Sequence, residues 1–251
     1  LAQAAQEVHS TPGLFQRAGE FPAANDPEYP FAEDARRVYK SGPPFLQRYL
    51  PFWLATLADR LELAPENRVL EIGAGPGYFS VEVARRLPHG HLTVLDLQPE
   101  MLERARERLS HAGVTNVSCI AGDAAALPFP DASFDAYTIA FGLRNVTDID
   151  KALREACRVL KPGGRFYCLE FSKVTTAPVA RAYDAYSERA LPWLGRVIAR
   201  DAESYRYLHE SIRRFPPQRE LAQRMVAAGF GNVAWRNMTM GVVALHSGWR
   251  L

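Results

Sequence analysis

The chain has 251 residues, long enough for one large α/β domain with a substantial buried core or for two small ones. Its formal net charge is +2, and its 30 Lys and Arg are spread along the chain, which argues against a nucleic-acid partner. No run approaches the roughly 20 apolar residues of a membrane span, and no signal-peptide pattern opens the chain.

Residues 1–43, rich in Pro, Gly, Ala and charge, read as an arm with one short helix around Pro30–Tyr39. Residues 44–63 carry apolar side chains at helical spacing, interrupted near Pro51. The expected division is an N-terminal arm and helical lid over 1–63 and a main α/β domain over 64–251. From residue 68 strands and helices alternate. Strands are expected at Arg68–Ile72, His91–Asp96, Val117–Ala121, Phe134–Phe141 and Arg165–Glu170. Helices are expected at Tyr78–Leu87, at Pro99–Ala112 with Met101, Leu102, Ala105 and Leu109 on one face, and at Asp148–Leu160. That last helix stops at a Lys161-Pro-Gly-Gly164 turn. This rhythm predicts an α/β fold, a mostly parallel sheet with helices on both faces. Residues 175–220 break the rhythm and read as a helical insertion. A helix at 219–229 and a closing hairpin of Asn232–Asn237 with Val242–His246 complete seven strands.

Cys119, Cys157 and Cys168 form no CxxC pair and read as buried, reduced thiols. That favours a reducing compartment such as the cytoplasm or a mitochondrial matrix. His89-Gly-His91 sits in a Gly/Pro turn and reads as loop, so no metal site is expected.

Ligands of an open α/β sheet lie beyond the carboxyl ends of its strands, and four such ends carry informative residues. The first is Glu71-Ile-Gly73-Ala74-Gly75-Pro76-Gly77, a strand entering a glycine turn before a helix. Its GxGxG spacing differs from the dinucleotide GxGxxG and suits a nucleoside cofactor without a pyrophosphate. The second is Asp96, followed by Leu97, about 20 residues on, where an acid can take both ribose hydroxyls. The structural alternative is a cap for the helix at Pro99. The third is Gly122-Asp123-Ala124, suited to the exocyclic amine and a ring nitrogen of adenine, or simply to a turn. The fourth is Ala140-Phe141-Gly-Leu-Arg144-Asn145, where Arg144 either meets a substrate or pairs with Asp148 or Asp150.

Residues 134–251 resemble the ubiquinone/menaquinone biosynthesis C-methyltransferases. The resemblance is carried by Phe141-Gly-Leu-Arg-Asn-Val-Thr-Asp148, Arg158-Val-Leu-Lys-Pro-Gly-Gly164, Leu169-Glu-Phe-Ser172, Tyr183-Asp-Ala-Tyr-Ser187, Asp201-Ala-Glu-Ser-Tyr-Arg-Tyr-Leu208, Glu210-Ser-Ile212 and Gly241-Val-Val-Ala-Leu-His246. Residues 1–133 resemble class I methyltransferases more generally. Pro76 stands where the family carries a cofactor-contacting Thr, and Ala140 where it carries a Ser. The resemblance implies a Rossmann-like class I methyltransferase fold and S-adenosylmethionine as methyl donor. Glu71, Gly73, Ala74, Gly75, Gly77, Asp96, Leu97, Asp123, Ala124 and Ala140 are then the cofactor set. It implies methyl transfer to a ring carbon of a polyprenylated benzoquinol or demethylmenaquinol.

A quinol ring carbon becomes a good nucleophile only when a neighbouring hydroxyl, of pKa near 10 by analogy with tyrosine, loses its proton. Arg144 is the candidate to stabilise the phenolate or order a water, with Asn145 and Asp148 orienting it. Phe141, Tyr183, Asp201, Tyr205 and His209 are the candidates for the quinol pocket. A prenyl tail implies peripheral membrane contact, for which Arg189–Arg200 reads as an interfacial helix or equally as a packed one. A homodimer or a place in a quinone-synthesis complex is expected. The expected site is the cytoplasm at the inner membrane face, or the matrix in a eukaryote. The alternatives are a class I methyltransferase acting on another small molecule, a nicotinamide oxidoreductase disfavoured by the GxGxG spacing, and a non-catalytic member of a quinone-synthesis complex.

Overall fold

A computed structural model describes residues 53–54, 56–173, 207 and 210–251. Its strands are β1 (Arg68–Ile72), β2 (His91–Asp96), β3 (Val117–Ala121), β4 (Phe134–Ala140), β5 (Leu160–Phe171), β6 (Phe230–Met238) and β7 (Val243–Arg250). Its principal helices are α1 (Tyr78–Arg85), α2 (Pro99–His111), α3 (Ile149–Val159) and α4 (Gln218–Ala227). The strands form one sheet in the order β3-β2-β1-β4-β5-β7-β6. The first five pair in parallel. β7 runs antiparallel between β5 and β6.

The central strands are short apolar runs because both faces are covered. Alternation along β1 sends Val69 into one core and Leu70 and Ile72 into the other. α1, α2 and the helical residues around 53–60 cover the first face, and α3 and α4 the second. α2 buries Leu102, Ala105 and Leu109 at helical spacing. Met101, expected on that stripe, is only half-buried. Trp53, Leu57, Ala58 and Leu61 share the first core with α1 and β1, so this stretch packs into the main body. Burying each such large side chain contributes about 1.5–3 kcal/mol.

Boundaries that differ from expectation do so for a clear reason. The Lys161–Gly164 stretch is not a turn between helix and strand. β5 begins at Leu160, opposite Phe134, and pairing resumes at Arg165 opposite Ala136, so residues 161–164 bulge from the ladder with Gly163 at φ 78°. The closing strands also run longer than expected, to Met238 and Arg250. β7 lies between two partners, so its ladder continues to Trp249 against Arg165 and Arg250 against Phe230.

The expected short helix at Pro30–Tyr39, the interfacial segment Arg189–Arg200 and most of the insertion lie outside the described residues. No helix among the described residues is long and apolar enough to cross a membrane.

Candidate functional site

The chain runs from β1 outward to β2 and β3, then returns to place β4 on the other side of β1. The carboxyl ends of β1 and β4 therefore flank the switch point at which open α/β sheets hold ligands. The glycine turn closes one side of this crevice. Gly73, Gly75 and Gly77 have φ of 64°, 54° and 79°, a region that favours residues without a Cβ. A Cβ on Gly73 would lie 3.5 Å from Gly142 Cα, so the turns after β1 and β4 are neighbours. A Cβ on Gly75 would meet nothing within 4 Å, so the crest of the turn has open space beside it. One on Gly77 would press on Ala105 of α2 at 3.0 Å.

Asp96, the last residue of β2, ties that strand end to the glycine turn after β1. Its Oδ2 accepts from Gly75 N at 3.0 Å and its Oδ1 from Gln98 N at 2.9 Å. The residue at the α2 N-cap position is Gln98, so Asp96 is not the cap itself. Each oxygen accepts one backbone bond and has a second lone pair for a ligand hydroxyl. Leu97 beside it is 71% exposed. Asp123 forms a tight turn: its Oδ1 accepts from Ala125 N at 2.8 Å and its carbonyl from Ala126 N at 3.0 Å. Ala124 is buried under that turn.

Glu71 is buried beneath the glycine turn. Burial pushes its carboxyl up to about 7, and the Asp96 charge adds to the rise. Its Oε2 is buried without a hydrogen-bond partner, as are Ser80 Oγ and Thr138 Oγ1. Thr138 is the residue paired with Glu71 in the ladder. Ser172 Oγ, just past β5, and Arg144 Nε share that state. Five of the six such atoms among the described residues thus gather near the carboxyl ends of β1, β4 and β5, and the sixth is His246 Nδ1. Native interiors rarely leave buried polar atoms unpaired, so this concentration marks a place built for a polar ligand or ordered water.

On the β4 side, Phe141 turns the chain at φ 56°, which ends the strand one residue earlier than expected. Its ring packs on Phe171 at 4.8 Å and on Trp53 at 5.8 Å. The Trp53 indole donates to Thr239 Oγ1 at 3.0 Å, which fixes this aromatic wall to the turn before β7. Arg144 lies against the wall, its guanidinium 5.2 Å from the Phe171 ring centroid. Its ionic partner is neither Asp148 nor Asp150 but Glu170, at 2.9 Å. Asp148 instead caps α3, accepting from Lys151 N at 2.9 Å, and Asp150 pairs with Arg224 at 3.3 Å. The expectation that Asn145 and Asp148 orient Arg144 is corrected accordingly. Asn145 Oδ1 accepts from Tyr207 Oη at 3.1 Å. Local sequence spacing favours the nearby aspartates, whereas the fold brings Glu170 across the β4–β5 pair.

Tyr183, Asp201, Tyr205 and His209 lie outside the described residues. Glu170, Ser80 and Thr138 escape sequence reading. Glu170 alone had a usable signal, an acid at the end of a central strand inside Leu169-Glu-Phe-Ser172. Of the cysteines, Cys168 is buried while Cys119 and Cys157 are half-buried, and all three are free thiols. His91 begins β2, with Nε2 2.9 Å from Ser118 Oγ. Among the described residues no group of three or more His, Cys, Asp or Glu is placed to hold a metal.

Residues 49–250 match the ubiE/COQ5 methyltransferase family, so the likeness begins well upstream of residue 134. A protein of Ruegeria sp. named ubiquinone/menaquinone biosynthesis C-methyltransferase UbiE is 46% identical over 200 residues, 79% of this chain and 80% of that protein. Its namesake from Bradyrhizobium sp. is 51% identical over 185 residues, 73% of each chain. Among solved structures, a SAM-dependent methyltransferase from Aquifex aeolicus has a TM-score of 0.59 at 18% identity, covering 88% of this chain and all of its own. A SAM-dependent methyltransferase from Thermotoga maritima, titled a possible histamine N-methyltransferase, has a TM-score of 0.55 at 23% identity, covering 82% and 96%. These two show the fold, that of the class I methyltransferases.

Proposed function

The chain belongs to the ubiE/COQ5 methyltransferase family, and we propose that it moves a methyl group from S-adenosylmethionine to a ring carbon of a polyprenylated benzoquinol or of demethylmenaquinol. The observation that carries the substrate reading is the 46–51% identity to proteins named for ubiquinone and menaquinone biosynthesis. The geometry supports the donor. The open crest at Gly75 leaves room for a ligand against the backbone and Asp96 retains acceptor capacity for ribose hydroxyls; Asp123 and Ala124 would take the adenine. Glu71, buried and short of donors, suits the cationic end of the cofactor.

When bound, the cofactor supplies an electrophilic methyl group on a sulfonium. The chain's own task is then to position the acceptor and exclude water. The Phe141–Phe171–Trp53 wall offers an apolar face for an aromatic ring. Arg144, beside that face, stabilises the oxyanion of the acceptor's hydroxyl and so raises electron density on the ring carbon. The hydroxyl gives its proton to water as the oxyanion forms; the carbon then gains the methyl while the methyl–sulfur bond breaks, and the carbon's own proton passes through water to the oxygen, which restores the aromatic ring. The prenyl tail lies at the membrane surface, and the protein acts as a homodimer or within a quinone-synthesis complex at the inner membrane face.

The test is product analysis. Purified protein with S-adenosylmethionine and a short-tailed demethylmenaquinol should yield a product heavier by one methylene, its new methyl on a ring carbon by NMR. Methylation on oxygen would favour a different class I methyltransferase. Cofactor binding with no methyl transfer to benzoquinol or naphthoquinol acceptors would leave a non-catalytic partner.

A further inference from the structure

Glu170, the last residue but one of β5, has its side chain 1% exposed, a position at which a carboxylate needs a reason to exist. It is surrounded by donors. Arg144 Nη1 reaches its Oε1 at 2.9 Å and its Oε2 at 3.2 Å. The backbone N–H groups of Phe171 and Arg144 add bonds at 2.8 and 3.3 Å. Burial raises its pKa and the Arg144 charge opposes that rise. A carboxylate so occupied has little capacity left to move protons. What it does is immobilise the guanidinium.

Arg144 is pinned on three sides. Nη1 also donates to Phe141 O, and the Phe171 ring lies along the guanidinium. Among the described residues every side-chain hydrogen bond of Arg144 uses Nη1, while its Nε–H is buried and unpartnered. A buried guanidinium donor without an acceptor is costly, unless an acceptor arrives with a ligand. We propose that Glu170 is the positioning residue for Arg144, holding the guanidinium by Nη1 so that its Nε–H remains for an oxygen of the acceptor ring. The proposal rests on the reading above that Arg144 meets that oxygen. A planar guanidinium fixed at one edge cannot rotate toward a developing oxyanion, so its direction is set before the ligand arrives.

Steady-state kinetics on Glu170→Gln, Glu170→Asp, Arg144→Lys and the double variant Arg144→Lys/Glu170→Gln test this, with cofactor affinity measured by calorimetry. Glu170→Gln keeps the shape but removes the charge and one of the two oxygens that hold the guanidinium. Its kcat should fall about 100-fold, the scale of a misplaced catalytic group, with acceptor KM and cofactor Kd within about twofold. Glu170→Asp keeps the charge and should recover part of that loss. Because Glu170 acts through Arg144, the double variant should be no slower than Arg144→Lys alone. Losses that multiply in the double variant, or undiminished kcat in Glu170→Gln, overturn the positioning role. If Glu170→Gln does not fold, Glu170→Asp carries the test: its carboxylate is drawn back from Nη1, and an unchanged kcat overturns the role. Full turnover by Arg144→Lys overturns this inference and the Arg144 reading together. A dead Arg144→Lys beside a fully active Glu170→Gln overturns the inference alone.

Discussion

At Gly77 the backbone sits at φ 79°, and an added Cβ would lie 3.0 Å from Ala105. Both facts penalise any other residue, the first by strain in the left-handed region and the second by forcing α1 away from α2. Gly77→Ala should therefore destabilise the protein by about 2–3 kcal/mol in urea unfolding, whereas Gly75→Ala, with open space around it, should cost only the strain, about 1–2 kcal/mol. Equal losses at the two positions would contradict the packing argument. These glycines and Asp96 are legible in the sequence because their roles are set by near neighbours and by spacing along one strand–turn–helix unit. The pairing of Arg144 with Glu170 is not, because 26 residues of chain separate partners that only the sheet brings together.

Among the elements, α2 does more than cover the sheet. Arg108 reaches from it to donate to Pro76 O, and its guanidinium carbon lies 3.4 Å from the Tyr78 ring centroid. Desolvation lowers its pKa from the ordinary arginine value, with the Tyr78 hydroxyl opposing through its charge and a hydrogen bond. Pro76 has no N–H to donate and its carbonyl is the group that α2 holds. Arg108→Leu keeps the apolar bulk but frees the loop, and cofactor affinity should weaken about tenfold, or ~1.4 kcal/mol, in calorimetry. Unchanged affinity would show that Gly77 packing alone sets the turn. The alternation of strand and helix along this half was readable from periodicity. The brace was not, since Arg108 reads as one more charge on an exposed helix face.

For the whole molecule, two buried ionisable groups give opposite pH signatures. Glu71 is raised by burial from 4.5 to about 7. Its folded state holds the extra proton, so its contribution to stability is full below 4.5 and is lost as pH rises toward 7. His246, with Nε2 3.1 Å from Gln218 O, is lowered by burial from 6.5 to about 4. Its unfolded state holds the extra proton, so stability is full above 6.5 and is lost as pH falls toward 4. Each effect is on the order of 3 kcal/mol, and the two oppose each other between 4.5 and 6.5. Compared with the parent, Glu71→Gln should grow relatively more stable as pH rises through that window, and His246→Phe relatively more stable as it falls. Parallel stability curves for parent and variant would refute the corresponding assignment. The sequence by itself determined the strand–helix order, the glycine turn and its two acids, because each depends on local periodicity and near-neighbour backbone geometry. Only the tertiary structure decided which partner Arg144 takes, which buried polar atoms stay unpaired and how far the closing strands run, because each depends on contacts between distant stretches of chain.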